Sequence, residues 1–292
     1  MVVLAGASVR PAGWGGVSRR AELEQRLGRL GEISDILTAM KNMALIETRK
    51  FTRFMAHQQR LVDSLGAAAA DFLHFHPMPG HAPDLSQSGP GHILILIGSE
   101  RGFCGDFNET IAAALASHPL GQSPLIVVGR RLAGKLEGHP RILAGLPGAN
   151  VAEEVPPLLD RLIDELHRLS GNAPMHALSV LAHEPDGAVI TRQLLPITAP
   201  TRPGGGSPPR LHEAPAAFFQ RLTEHYLAAQ LPALFYGSLM AENRRRLEHM
   251  NGALNRIGNK MDDLVRRRNA LRQEEITEQI EIILLSVDAK PE

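Results

Sequence analysis

Arg101-Gly102-Phe103-Cys104-Gly105 follows the first apolar strand pattern of this chain. α/β folds place ligands just beyond strand ends. A thiol there can act as a nucleophile when a base stands beside it. No histidine stands at a suggestive spacing from Cys104, so the residues favour a buried small hydrophobe. No GxGxxG follows the strand, so a dinucleotide site is unsupported. Gly204-Gly205-Gly206-Ser207 has the glycines of a phosphate loop but not its lysine or its strand-to-helix setting, and reads as a linker. The 13 histidines are scattered. His74, His76 and His81 lie near one loop without a cysteine or acid cluster, so exposed loop histidines are expected rather than a metal site. Asp262-Asp263 and Glu274-Glu275 are neighbours in a helical pattern and point to different faces. No enzymatic constellation emerges, and no cofactor or metal is expected.

The residues around this loop must come from a chain of 292 residues, room for one large domain or two modest ones. Aromatics make up only 4%, so Leu, Ile, Val, Ala and Met must build the core. The formal charge is zero, which offers nothing to nucleic acid. Charge gathers locally in Arg244-Arg245-Arg246 and Arg266-Arg267-Arg268, by default solvated helix faces and otherwise a docking stripe for acidic surfaces. With Cys104 alone, no intrachain disulfide forms, which fits a reducing compartment. No apolar run approaches the roughly 20 residues that span a bilayer.

Residues 1–17 carry the only Trp, Trp14, and read as a disordered leader without the basic start of a signal peptide. Residues 18–73 read as one helix, with Ser18 as N-cap and acids Glu22 and Glu24 in its first turn. Leu23, Leu27, Leu30, Ile33, Leu37, Met40 and Ala44 recur at heptad spacing along it. Residues 74–91 are a Pro/Gly linker. The period then changes. Strands are expected at 92–97, 124–128, 175–182 and 188–195, and helices at 108–117, from 132, and at 157–169. Pro185-Asp186-Gly187 is a turn. Together, 92–197 form an α/β head with a mostly parallel sheet and one antiparallel addition. Residues 198–214 are a loop. Residues 215–287 form a second long helix, which Pro232 breaks or kinks, before a tail at 288–292. Leu247, Met250, Leu254, Ile257, Met261, Leu264 and Leu271 give it a seam with one step of seven. Each seam needs a partner helix, and the simplest partner is the other end of the chain.

Ser99-Glu100-Arg101-Gly102-Phe103-Cys104-Gly105-Asp106-Phe107-Asn108 resembles the Ser-Asp-(Arg/Lys)-Gly-Leu-Cys-Gly-x-x-Asn signature of the F-type ATP synthase gamma subunit family. The ends agree. Arg26-Leu27, Ile36, Ala39-Met40-Lys41, Ala44, Arg49 and Lys50 resemble the family's N-terminal helix. Glu242, Arg246, Met250, Ala253, Leu264, Asn269, Arg272-Gln273 and Ile276-Thr277 fall in the order of its C-terminal helix. Val128-Gly129-Arg130 and Leu194-Leu195-Pro196 resemble strand ends of its middle domain. Ala241 stands where the family has Ser, Glu47 where it favours a base, and Gln279 and Ile282 where it favours glutamates. These departures point to a divergent, alternative bacterial branch.

The resemblance implies an α/β fold class: an antiparallel coiled coil of the two terminal helices with an inserted Rossmann-like α/β domain. It implies a rotor turning inside a ring of alpha and beta subunits, seated on the epsilon subunit and the membrane c-ring. Its place would be peripheral, on the cytoplasmic side of a bacterial inner membrane. The chain itself would catalyse nothing, bind no cofactor, and carry torque between ion flow and ATP chemistry on beta. Met40, Arg272, Gln273 and Thr277 match family positions that touch the surrounding subunits. Ser99, Arg101, Gly102, Cys104, Gly105 and Asn108 match the head-domain motif. The residues alone leave open a non-rotary coiled-coil adaptor with a partner-binding head.

Overall fold

The computed structural model describes residues 14–77, 91–171, 175–197, 208 and 210–288. Its elements are α1 (Trp14–Phe75), β1 (His92–Ile97), α2 (Phe107–Ser117), β2 (Leu125–Val128), α3 (Arg130–Lys135), β3 (Ile142–Leu146), α4 (Val155–Ser170), β4 (Ala177–His183), β5 (Val189–Leu195) and α5 (Pro215–Asp288). The chain divides into two compact units. One holds residues 1–41 and 250–292, the other 42–249, and each takes a stretch of both α1 and α5.

The larger unit is built on a sheet in the order β3-β2-β1-β4-β5. All pairings are parallel except β4 with β5. The antiparallel pair closes through the turn expected at Pro185-Asp186-Gly187, where Gly187 takes φ 95° and Asp186 Oδ1 accepts from the Ala188 amide at 3.0 Å. β1 is buried along its whole length because both faces are covered. Ile93, Ile95 and Ile97 face a core that includes Leu158 and Leu162 of α4, Phe51 of α1 and Phe235 of α5. Leu94 and Leu96 face Ile111 and Leu115 of α2 and Leu132 of α3. The period-2 alternation of β1 thus feeds two cores. Each such side chain contributes about 1.5–3 kcal/mol when fully buried.

α1 and α5 run antiparallel in this unit, as contacts spaced along both helices show. Phe72 packs on Phe218 and Phe219, Gln58 reaches Ala229, and Phe54 stacks on Tyr236 with ring centroids 5.4 Å apart. α5 continues through Pro232 rather than breaking there. A proline inside a helix removes one N–H and pushes the preceding turn open. Gln58 Nε2 donates to the Ala229 carbonyl at 2.7 Å, beside the disturbed turn. The carbonyl that loses its helical donor is that of Ala228, so this bond braces the turn from outside without replacing the missing one. Gln58→Leu is therefore expected to cost about 1–2 kcal/mol in thermal unfolding. Gln59→Leu is the control, because Gln59 only bonds Asp63 at the surface. Equal melting of the two variants would refute the assignment.

In the smaller unit the α5 seam is as expected: Met250 and Leu264 are buried, and Leu254, Ile257, Met261 and Leu271 are half-buried. Arg268 occupies the step of seven. On α1, Leu23, Leu27, Leu30 and Met40 are half-buried and Leu37 is buried, but Ile33 is 45% exposed. The seam passes through Ser34 instead. Steps of four, three, four and three keep a heptad on one side, whereas two successive threes through residue 33 rotate off it. Arg20 Nη1 meets Glu275 Oε2 at 3.3 Å. α1 begins at Trp14, so Ser18 lies within the helix and is not its N-cap.

Candidate functional site

Three strands of the sheet end beside glycines, and the motif loop is assembled there. At Gly98 a Cβ would fall 2.2 Å from Leu132 Cβ, so β1 and α3 meet without a side chain between them. Ser99 follows, fully buried. Its amide donates to Asn108 Oδ1 at 2.9 Å, and Asn108 Nδ2 donates to Ser99 Oγ at 2.7 Å. Cys104 Sγ donates to the same Oγ at 3.4 Å. The motif residues Ser99, Cys104 and Asn108 thus form one buried polar knot that ties the loop to the first turn of α2. Between them the chain reverses through two left-handed residues, Phe103 at φ 63° and Gly105 at φ 61°. The glycine adopts this freely; the phenylalanine is strained by about 1–2 kcal/mol. Phe103 is 53% exposed, and Arg101 is exposed beside it.

Glu100 ties the sheet's end together. Its carboxylate accepts from the amides of Arg130 at 3.0 Å and Gly148 at 2.7 Å, and from the Arg130 guanidinium. Burial pushes this carboxyl up, but the two amides and the guanidinium together outweigh it and hold it below the usual carboxylate range. This role was not foreseen, although Glu100 lies within the motif.

Beneath the loop, Cys104 and Phe107 pack on Ala241 of α5. A methyl suits that apolar contact; a hydroxyl would need a partner there. Next to it, Glu242 is 2% exposed and paired with Arg246, which also donates to Asn243 Oδ1 at 3.1 Å. Burial pushes the Glu242 carboxyl up to about 7 against the pull of Arg246. Glu47, the other departure in this unit, is buried and anchored by Lys50 Nζ at 2.9 Å.

Cys104 is 4% exposed. Burial pushes its thiol up, and its hydrogen-bond partners are Ser99, Asn108 and a carbonyl, none of them a general base. Nucleophilic chemistry needs the thiolate. Iodoacetamide at pH 8 is expected to leave folded Cys104 largely unmodified while free glutathione reacts, and to label it after urea. Rapid labelling of the folded chain would contradict this burial.

The other expected site residues lie in the smaller unit. Arg272, Gln273 and Thr277 are all exposed on α5, with the Thr277 hydroxyl donating to the Gln273 carbonyl at 3.0 Å; Met40 is half-buried on α1. His76 lies against Phe72, while His81 and the 204–207 glycine stretch fall outside the described residues. No group of metal-ligating side chains and no helix long and apolar enough to cross a membrane occurs among the described residues.

The class of protein is thus a five-stranded α/β unit interposed in sequence between two stretches that make a helical unit. A family model described as ATP synthase matches residues 19–289. The chain belongs to the ATP synthase gamma subunit family. It is 25% identical over 234 residues to the ATP synthase gamma chain of Bifidobacterium longum subsp. infantis, covering 70% of this chain and 75% of that one. Its fold is similar to a chain of the Euglena gracilis mitochondrial ATP synthase rotor in rotational state 1, with a TM-score of 0.59, 13% identity, and 89% and 99% of the two chains covered. A chain from the same organism's OSCP/F1/c-ring structure in rotational state 3 gives a TM-score of 0.59 at 13% identity, covering 93% of this chain and 94% of that one.

Proposed function

We propose that this chain is the central-stalk rotor of an F-type ATP synthase, transmitting torque between an ion-driven c-ring and a catalytic head of alpha and beta subunits. The observation that carries this is the family match across residues 19–289, which takes in both units. The chain's own chemistry is compatible with a mechanical, non-catalytic part: its one thiol is buried and its motif residues bond one another. Its partners are the alpha, beta and epsilon subunits and the c-ring, and its place is peripheral, on the cytoplasmic side of a bacterial inner membrane. The two helical ends act as one discontinuous shaft and residues 92–197 as its head.

Arg272, Gln273 and Thr277 are the polar contacts this shaft offers to the surrounding subunits, with Met40 as a yielding apolar one. Exposure of the first three supports this role. An arginine makes bidentate, geometry-dependent bonds to carboxylates, which can form and break with angle. Met is flexible and forms no fixed bond. The test is co-expression with alpha, beta and epsilon subunits. One copy of this chain per three alpha–beta pairs is expected, with ATP hydrolysis slowed by Arg272→Ala while assembly is retained. A homodimer that ignores alpha and beta would overturn the proposal in favour of an adaptor.

A further inference from the structure

A groove of about 610 Å³ runs between α4 and α5 in the larger unit. Its apolar lining comes from Leu159, Ile163, Met175, Leu178, Leu227 and Leu231. Ile163 is 41% exposed, a large aliphatic side chain left unpacked on the face of α4. The polar lining residues of the groove are Asp160, His167, Ser170 and Glu224, two carboxylates against one imidazole and one hydroxyl. Asp160 and Glu224 stand on its two helices and are exposed. Two guanidiniums on those helices are engaged elsewhere, Arg168 with Glu165 and Arg221 with Glu213. Ala228 also lines the groove, and its carbonyl lacks the usual helical donor because residue 232 is proline. An apolar trough with carboxylates on both sides and a backbone acceptor selects its occupant by charge.

We infer that this groove docks a partner-protein segment that presents aliphatic side chains flanked by lysine or arginine. The aliphatic residues fill the trough beside Ile163 and Leu227. The cations meet Asp160 and Glu224, and an N–H of the segment takes the Ala228 carbonyl. The volume lies in the range of built ligand sites, about 300–1,000 Å³, enough for a few side chains rather than a whole helix. This assignment goes beyond the rotor reading and does not depend on it.

The experiment uses the full chain and two fluorescein-labelled peptides with the same leucine- and alanine-rich centre, one flanked by lysines and one by glutamates. Fluorescence anisotropy is expected to give at least about tenfold tighter binding of the lysine peptide, with the difference shrinking as salt rises. Ile163→Glu should abolish binding of both. Asp160→Asn with Glu224→Gln changes only exposed side chains and should remove the preference while keeping the apolar part of the affinity. Equal affinity for the two peptides, no binding of either, or a preference that survives the double variant would overturn the inference.

Discussion

Gly129→Ala is expected to destabilise the larger unit by about 3 kcal/mol or more, the sum of a strained backbone and an overfilled site. Gly129 takes φ 101°, which side-chain-bearing residues rarely adopt. A Cβ there would lie 2.6 Å from the Gly98 carbonyl oxygen and 2.7 Å from that of Ser99. Both obstacles are backbone at the end of β1, so no side chain can swing aside. Hydrogen exchange reads the effect directly. The Gly98 and Gly129 amides, which bond Val128 and Leu146 at 2.9 Å, should lose protection first. Gly134→Ala in α3 is the control. Nothing lies within 4 Å of its added Cβ, and alanine there should be neutral or mildly stabilising. Equal effects from the two alanines would show that the crowding at the β1–β2 ends is not what demands glycine.

Arg246→Met should cost about 1–3 kcal/mol at pH 8, because it removes the charged hydrogen-bond partner of a buried carboxyl. The pH dependence distinguishes this from a mere packing loss. Burial holds the Glu242 carboxyl at about 7 in the folded chain, above its unfolded value of roughly 4.3. The folded state therefore disfavours the ionised form. That cost is absent below about pH 4.3, grows as pH rises between the two values, and is complete above about 7. Without Arg246 the carboxylate is still less tolerated. The variant's deficit should be largest at pH 8 and shrink toward pH 5, where Glu242 carries its proton. A deficit constant across that range would assign the loss to packing alone.

Much of this architecture is legible from short-range pattern. The run at 92–97 lies between glycines and is apolar at every position after His92, and it becomes the central, doubly covered strand. Pro185-Asp186-Gly187 announces the antiparallel addition. β3 escapes notice because it is an edge strand of Ile142, Leu143, Ala144, Gly145 and Leu146, covered on one side only, with a glycine that weakens any strand signal. Ile33 is misjudged because hydrophobicity alone favours it over Ser34, although heptad phase puts the serine in the seam. Pro232 reads as a break because local sequence shows the missing N–H but not the packing of α5 on α1, such as the Gln58–Ala229 bond across 171 residues. Cys104 as a buried, unreactive thiol follows from its neighbours. The work of Glu100 does not, since its amide partners lie 30 and 48 residues away and meet it only when three strands end together.

That carboxylate changes what kind of object the sheet is. In open α/β sheets, the backbone amides at the carboxyl ends of the strands are where diffusible phosphates come to rest. Here the amides of Arg130 and Gly148 donate to an anion that the chain itself carries, the Glu100 side chain. A tethered counter-ion does not dissociate, and its occupancy does not vary with the concentration of any metabolite. The strand ends are therefore held by the chain's own carboxylate rather than by a diffusible anion.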